Sequence, residues 1–224
     1  MIECVSENSA LVTLGRQISP RLTARIAALC DWLEQQSFQW LIDLVPSYTT
    51  VLVVYDPMQL DFRGVKQCLN NGLSLLQQTT VQGRPGTVHE IPVYYAPETG
   101  PDLGELATQK GLSESRVIEL HSQREYQVYA IGFMPGFGFL GTVDPQIQAP
   151  RKATPRALVP AGSVAIANEQ TAIYPKASPG GWQLIGRSPA VMFDRQNLSR
   201  FRIGDRVRFV PVSRADYLGL GGRL

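Results

Sequence analysis

The stretch GFMPGFGFLG at residues 132–141, followed by PRKATPRALVPAGSVAI at 150–166 and QTAIYPKASPGGWQLIGR at 170–187, decides how this chain is read. Glycine, proline and aromatic residues crowd together there with Arg151, Arg156, Arg187, Tyr174 and Trp182. A packed helix does not tolerate that density of Gly and Pro. A disordered linker does not carry so many Phe, Val, Ile and Trp. The segment is therefore expected to be folded as short strands and tight turns, with its polar side chains presented on a constrained backbone.

Strand signals continue on either side: Tyr126–Phe133, Ala157–Val159, Ser163–Ala167, Thr171–Tyr174, Trp182–Arg187 and Arg206–Val212. Many short strands separated by turns predict a barrel or sandwich. The first 80 residues read differently. Leu22, Ile26, Leu29 and Leu33 recur at helical spacing over Arg21–Gln36, behind a Ser19-Pro20 start. A second helix is predicted over Gln59–Gln77, on Leu60, Val65, Leu69, Leu73 and Leu76. Ser9–Leu14, Trp40–Val45 and Thr49–Tyr55 read as strands. The order β-α-β-β-α resembles a ferredoxin-like unit, which a strand near His89–Tyr94 would complete, although the run Glu90–Tyr95 suits either half of the chain. The residues TTVQGRPGTVHE, 79–90, mark an exposed connection. The chain is thus expected to be α+β: a ferredoxin-like domain over residues 1–85 and a strand-rich domain, barrel or sandwich, over 86–224. Two short helices are expected at Pro101–Lys110 and Ser113–His121, and the glycine-rich tail DYLGLGGRL, 216–224, is expected to be mobile.

Bulk properties narrow the function. The 21 basic and 19 acidic residues give a net charge of +2 with no basic run, which argues against nucleic acid as a partner. No apolar run approaches the ~20 residues that span a bilayer, so no membrane is expected. The opening MIECVSENSALVTLG lacks a basic stretch followed by an apolar one, so no signal peptide is expected. Cys4, Cys30 and Cys68 are odd in number and far apart, which suits a reduced, cytoplasmic protein without a disulfide framework. No Cys/His cluster offers a zinc site, and no metal is expected.

The candidate chemistry is diffuse. His121, at the end of a predicted helix, suits either a helix-terminal cap or an acid/base group. His89 reads as a solvated strand edge. The glycines of 132–141 lack the Lys-Ser/Thr ending of a phosphate loop, so they are read as turn residues, with the phenylalanines filling a core or lining an apolar pocket. Arg151, Lys152 and Arg156 are flanked by Pro150 and Pro155, which limits the entropy lost when a guanidinium grips a carboxylate or phosphate. An exposed basic loop is the competing reading. Gln170, Tyr174 and Gln183 place hydrogen-bonding groups beside aromatic faces, as a small amide- or carboxylate-bearing ligand requires. They are equally consistent with solvated strand edges. No Ser-His-Asp arrangement is evident.

These motifs resemble a known family. IPVYY at 91–95, GPDL at 100–103, ELHS at 119–122 and Y-x-V-Y-x-IGF-x-PGF-x-FLG at 126–141 are its text. PR-x-x-x-PR at 150–156, VPAGSVAI at 159–166, QTAIYP at 170–175, SPGGWQLIGRSP at 178–189 and GD-x-V-x-F at 204–209 continue it. The chain resembles the family of 5-oxoprolinase B subunits, which includes Kip-type inhibitors of a sporulation histidine kinase and proteins formerly described as allophanate hydrolase subunit 1. Phe139 stands where that family often has Tyr, and Ala165, Asn168 and Ala172 where it often has Gly. The resemblance implies a cyclophilin-like barrel behind a small α/β domain. It also implies a role in ATP-dependent hydrolysis of 5-oxo-L-proline to L-glutamate, with partner subunits A and C and with ATP as cosubstrate of the complex. In that reading His121 moves a proton, Arg151 or Arg156 holds a carboxylate or phosphoryl group, and Gln170, Tyr174 and Gln183 orient the amide. Inhibition of a sensor kinase and a urea carboxylase-related role are the alternatives the same motifs allow.

Overall fold

The computed structural model describes residues 1–78, 86–196 and 198–224. They form two compact units, Met1–Gly86 and Thr87–Leu224. The architecture is mixed α+β, and no described helix is long and apolar enough to cross a membrane.

The first unit contains β1 (Ile2–Ser6), β2 (Ser9–Thr13), α1 (Pro20–Gln35), β3 (Leu41–Pro46), β4 (Thr50–Tyr55) and α2 (Phe62–Gln78). Its strands form one antiparallel sheet in the order β1-β2-β4-β3. Ser19 caps α1 by accepting the Leu22 N–H at 3.2 Å, Pro20 fills the first turn, and Leu22, Ile26, Leu29 and Leu33 form the buried face. The second helix starts three residues later than its apolar stripe suggests. Asp61 takes the Gly64 N–H at 2.8 Å and so sets the helix start, leaving Leu60 outside.

Of the two halves open to the strand near 89–94, the structure gives it to the second unit, and the edge beside β2 is filled by β1, folded back through the Ser6–Asn8 turn. Only Ile2 of β1 is buried, so the strand carries almost no alternating pattern by which to recognise it. The expected connection over 79–90 falls largely on residues 79–85, outside the described set.

The second unit contains β5 (Val88–Val93), α3 (Leu103–Lys110), α4 (Glu114–Ser122), β6 (Glu125–Ile131), β7 (Gly138–Gly141), β8 (Arg156–Val159), β9 (Ser163–Ala167), β10 (Gln170–Ile173), β11 (Ser178–Gly180), β12 (Gln183–Arg187), β13 (Phe193–Asp194), β14 (Leu198–Ser199), β15 (Arg206–Pro211) and α5 (Arg214–Gly219). Seven strands make one sheet in the order β12-β9-β10-β7-β6-β15-β5. Its two edges meet where Tyr94 and Arg187 exchange backbone hydrogen bonds of 2.9 and 3.0 Å, so the sheet is a nearly closed barrel. Closure removes the open edges along which sheets aggregate.

The barrel encloses the main core: Ile91, Val93, Tyr126, Val128, Leu140, Val164, Ile166, Ile173, Ile185, Val207 and Phe209, joined by Leu103, Leu106, Val117 and Leu120 from α3 and α4. A second cluster lies on the other face of β9, β10 and β12, where Ala165, Ala167, Ala172 and Leu184 meet Phe137, Tyr174 and Trp182. Every residue of β9 is buried because its alternating side chains feed both clusters. This double burial turns the β9, β10 and β12 part of the barrel wall into the floor of a site.

Two expectations change here. The tail is not loose: Tyr217 of α5 is buried, its hydroxyl donates to Arg223 O at 2.7 Å, and Arg187 Nη1 donates to the same carbonyl at 3.0 Å. His89 is not a solvated edge, since it pairs with Asp205 at 3.0 Å and meets the Phe201 ring edge-on.

Candidate functional site

A cavity of about 320 Å³ opens over the second cluster, lined by Phe133, Phe137, Phe139, Arg151, Lys152, Pro155, Tyr174, Pro179, Gly180, Gly181 and Trp182. Its lining comes from the three sequence segments whose Gly, Pro and aromatic content is so unusual. Phe137 is the hub. Its ring meets those of Phe133, Phe139, Tyr174 and Trp182 edge to face, with centroids 4.9–5.7 Å apart. Such pairs add directional stabilisation to area burial. Ala165, Ala167 and Ala172 leave the space beneath in which these rings lie.

Local chemistry shapes the walls. The loop between β6 and β7 closes on itself, with Gly132 N–H donating to Phe137 O at 3.1 Å and Met134 N–H to Gly132 O at 2.7 Å. That closure holds Phe133 at a left-handed φ of 66° and leaves its ring 65% exposed at the mouth. A large side chain in that region is unusual and is found where the surroundings over-determine it. On the opposite wall, a Cβ at Gly180 would lie 2.4 Å from the Tyr174 hydroxyl, so only glycine admits the phenol there.

The basic loop is tied down at three points. Lys152 N–H donates to Gly181 O at 2.7 Å, and Gln183 Nε2 donates to Pro150 O at 2.9 Å. The third tie is Asp102, whose side chain is 3% exposed. Its Oδ1 accepts both Arg156 Nη2 (2.6 Å) and Lys152 Nζ (2.9 Å), and its Oδ2 accepts the Leu184 N–H (2.7 Å). Burial acts to raise the Asp102 pKa, but the bonds from Arg156, Leu184 and Lys152 outweigh it and hold the carboxyl below its ordinary range. Asp102 stands at the N-cap position of α3 yet makes no capping bond with its side chain. The neighbouring Gly100 packs where a Cβ would lie 2.1 Å from the Ile185 backbone, which brings this acid against β12.

The candidate residues separate on this geometry. Arg151 lines the pocket, with its guanidinium carbon 6.0 Å from the Trp182 ring centroid, and makes no ion pair with a described carboxylate. Tyr174 also lines it. Burial raises the Tyr174 pKa, against smaller opposing effects of the Trp182 backbone bond, Arg151 and Arg156, so the phenol stays protonated. Arg156 is not among the lining residues: Nη2 is bound to Asp102, and Nη1 is buried without a hydrogen-bond partner. Gln183 uses its amide to hold Pro150, and Gln170 begins β10 opposite Gly141 and Ala167; neither lines the pocket.

His121 lies apart from the pocket, fully buried in the barrel. Thr171 Oγ1 donates to Ala165 O, so it accepts from His121 Nε2 at 2.9 Å, which leaves Nδ1 to accept the Tyr95 hydroxyl at 2.8 Å. The ring stacks on Phe209 at 4.5 Å, and burial drives its pKa from 6.5 to about 3. These contacts give His121 a bracing position inside the barrel, with both nitrogens occupied.

The sequence reading passes over Asp102 and leaves the phenylalanines between core and pocket wall. Asp102 is visible only as one letter of GPDL, and nothing in the spacing links it to cations 50 and 54 residues away. Phe133, Phe137, Phe139 and Trp182 are legible as aromatics beside glycines, the signal that could mark them as walls. The lining contains no Ser, Cys, His, Asp or Glu. As built, the site can grip a planar or ring-shaped acid and hydrogen-bond it.

The fold and site define an α+β protein with a nearly closed barrel carrying an aromatic, cationic pocket on its outer face. The model of the carboxyltransferase domain, subdomain C and D, matches residues 1–202, and the chain belongs to that family together with the 5-oxoprolinase B subunits. It is 38% identical to the 5-oxoprolinase B subunit of Bacillus subtilis (strain 168), over 96% of this chain and 94% of the relative. It is 54% identical to the 5-oxoprolinase B subunit of Escherichia coli O157:H7 over 54% of this chain and 57% of that one. Among solved structures, TTHA0988 superposes with a TM-score of 0.81 at 37% identity. The match covers 95% of this chain but 40% of TTHA0988, so the present chain spans less than half the length of that protein.

Proposed function

We propose that this chain is the B subunit of an ATP-dependent 5-oxoprolinase, a cytoplasmic complex that hydrolyses 5-oxo-L-proline to L-glutamate with cleavage of ATP. The observation that carries the reading is the near full-length similarity to a 5-oxoprolinase B subunit. In this reading the barrel is cyclophilin-like, and the N-terminal unit is a ferredoxin-like arrangement in which β1 takes the closing strand's place. Opening an unstrained lactam is uphill, and coupling to ATP drives it. The outer pocket contributes substrate binding through Arg151 and Tyr174. Arg156, Gln170 and Gln183 act behind it as supports, and His121 braces the barrel rather than transferring a proton. The A and C subunits supply the nucleotide site and the remaining catalytic groups.

The test is reconstitution. The chain is co-purified with candidate A and C subunits, and glutamate release and ADP formation are followed with 5-oxo-L-proline. Activity that needs all three chains, falls with Arg151→Ala and survives His121→Gln supports the reading. Failure of the chain to associate with those subunits, or an assembled complex without turnover, refutes it.

A further inference from the structure

The pocket lining contains two cations, Arg151 and Lys152, and no carboxylate. The two are not equivalent. Lys152 shares Asp102 Oδ1 with Arg156 and lies 3.5 Å from Glu105 Oε2, and the Asp102 carboxylate is turned away from solvent toward its cations and the Leu184 N–H. Arg151 is held on the Trp182 face by a loop tied through Lys152 N–H and Pro150 O, and it makes no ion pair with a described acid.

This asymmetry sorts small molecules by charge. A carboxylate that reaches Arg151 gains charge-assisted hydrogen bonds on a side chain whose backbone is already fixed. An ammonium group in the same cavity meets the Arg151 guanidinium, which already covers the Trp182 face, and no acid among the lining residues, and like charges placed together discriminate against a ligand. The aromatic walls favour a compact ring over an extended chain, and a cavity of about 320 Å³ has room for one such ring with its carboxylate.

We propose that the pocket binds small ring carboxylic acids that carry no ammonium group, with Arg151 receiving the carboxylate and the Phe137 and Trp182 walls receiving the ring, and that it rejects α-amino acids of similar size. Only the identity of the physiological ligand rests on the function proposed above. There the pocket admits a lactam acid, whose nitrogen is acylated and neutral, and turns away the amino acid formed when the ring opens. Substrate and product are then told apart by one charge.

Isothermal titration calorimetry on the full chain tests this with cyclopentanecarboxylate, 5-oxo-L-proline, L-proline and L-glutamate. The first two are expected to bind, with proline and glutamate at least about tenfold weaker. Arg151→Met, at an exposed position, is expected to weaken cyclopentanecarboxylate by about tenfold or more, and Arg151→Lys by less. Proline binding as tightly as cyclopentanecarboxylate, unchanged affinity in Arg151→Met, or no binding of either ring acid overturns the proposal. Binding of cyclopentanecarboxylate without 5-oxo-L-proline upholds the pocket's charge rule and refutes the lactam substrate. A reconstituted complex that turns over while the chain binds no acid overturns the pocket and leaves the proposed complex standing.

Discussion

Asp102 and Arg156, 54 residues apart in sequence, meet at 2.6 Å behind the pocket, and this one contact fixes the far end of the basic loop. The carboxylate is 3% exposed at its side chain and Arg156 25%. Removing one partner of a buried pair leaves the other charge uncompensated, which costs far more than the pair itself contributes. Asp102→Asn is therefore expected to destabilise the protein by about 3 kcal/mol in urea unfolding. Combining it with Arg156→Met should cost less than the sum of the two single changes, because the more tightly held of the two stranded cations is gone. Strict additivity would show that the contact contributes nothing to loop fixation.

The pH response follows from His121. Its folded pKa is depressed to about 3, below the unfolded value of 6.5. Between those values the unfolded chain binds a proton that the folded chain does not, so the stabilisation is complete above pH 6.5 and fades as pH falls towards 3. At pH 5 the loss from this residue alone is about 2 kcal/mol. Asp102, also depressed, adds to the loss in the same direction below its own ordinary range. His121→Gln removes the titration and is expected to flatten the drop in urea midpoint between pH 7.5 and 5, although it lowers stability at pH 7.5. A variant with the wild-type slope would assign the acid sensitivity elsewhere.

The division into an α/β half and a strand-rich half is legible because α1 and the barrel strands β9, β10 and β12 carry strong local patterns. Leu22, Ile26, Leu29 and Leu33 announce a helix by spacing alone. β1 is not legible, since one buried residue gives no period, and the destination of residues 88–93 is decided by pairing with β15 more than a hundred positions away. The same limit applies to the site. Arg151 and Tyr174 stand out through flanking prolines and aromatics. Arg156 stands out equally, yet long-range geometry turns it towards Asp102. Side-chain type records what a residue can bind, and only topology records which partner reaches it first.

Gly180 offers a test of the pocket wall. A methyl group there would sit 2.4 Å from the Tyr174 hydroxyl and 2.9 Å from its ring carbon, and Tyr174 is buried against Phe137. The phenol cannot retreat without disturbing that edge-to-face pair. Gly180→Ala is expected to cost about 1–3 kcal/mol. Gly219→Ala, at a glycine of α5 with nothing within 4 Å of the added carbon, serves as the control and should leave the midpoint unchanged or raise it. Equal effects of the two substitutions in thermal unfolding would remove the steric argument.

The tail beyond β15 gives the last prediction. Tyr217 is 1% exposed, packs beside the Tyr94 ring at 5.6 Å, and binds the Arg223 backbone through both donor and acceptor roles of its hydroxyl, at 2.7 and 3.1 Å. Tyr94 and Arg187 are also the residues that close the barrel, so the tail lies over the seam. Tyr217→Ala deletes a buried aromatic side chain and is expected to cost about 3 kcal/mol. Tyr217→Phe keeps the ring and loses only the hydroxyl contacts, so about 1 kcal/mol is expected. If the tail is a latch on the seam, amide hydrogen exchange at Tyr94 and Arg187 should quicken in Tyr217→Ala more than at Ile166, which lies in the middle of β9. Uniform quickening at all three sites would mean that the tail stabilises the barrel as a whole and not its closure.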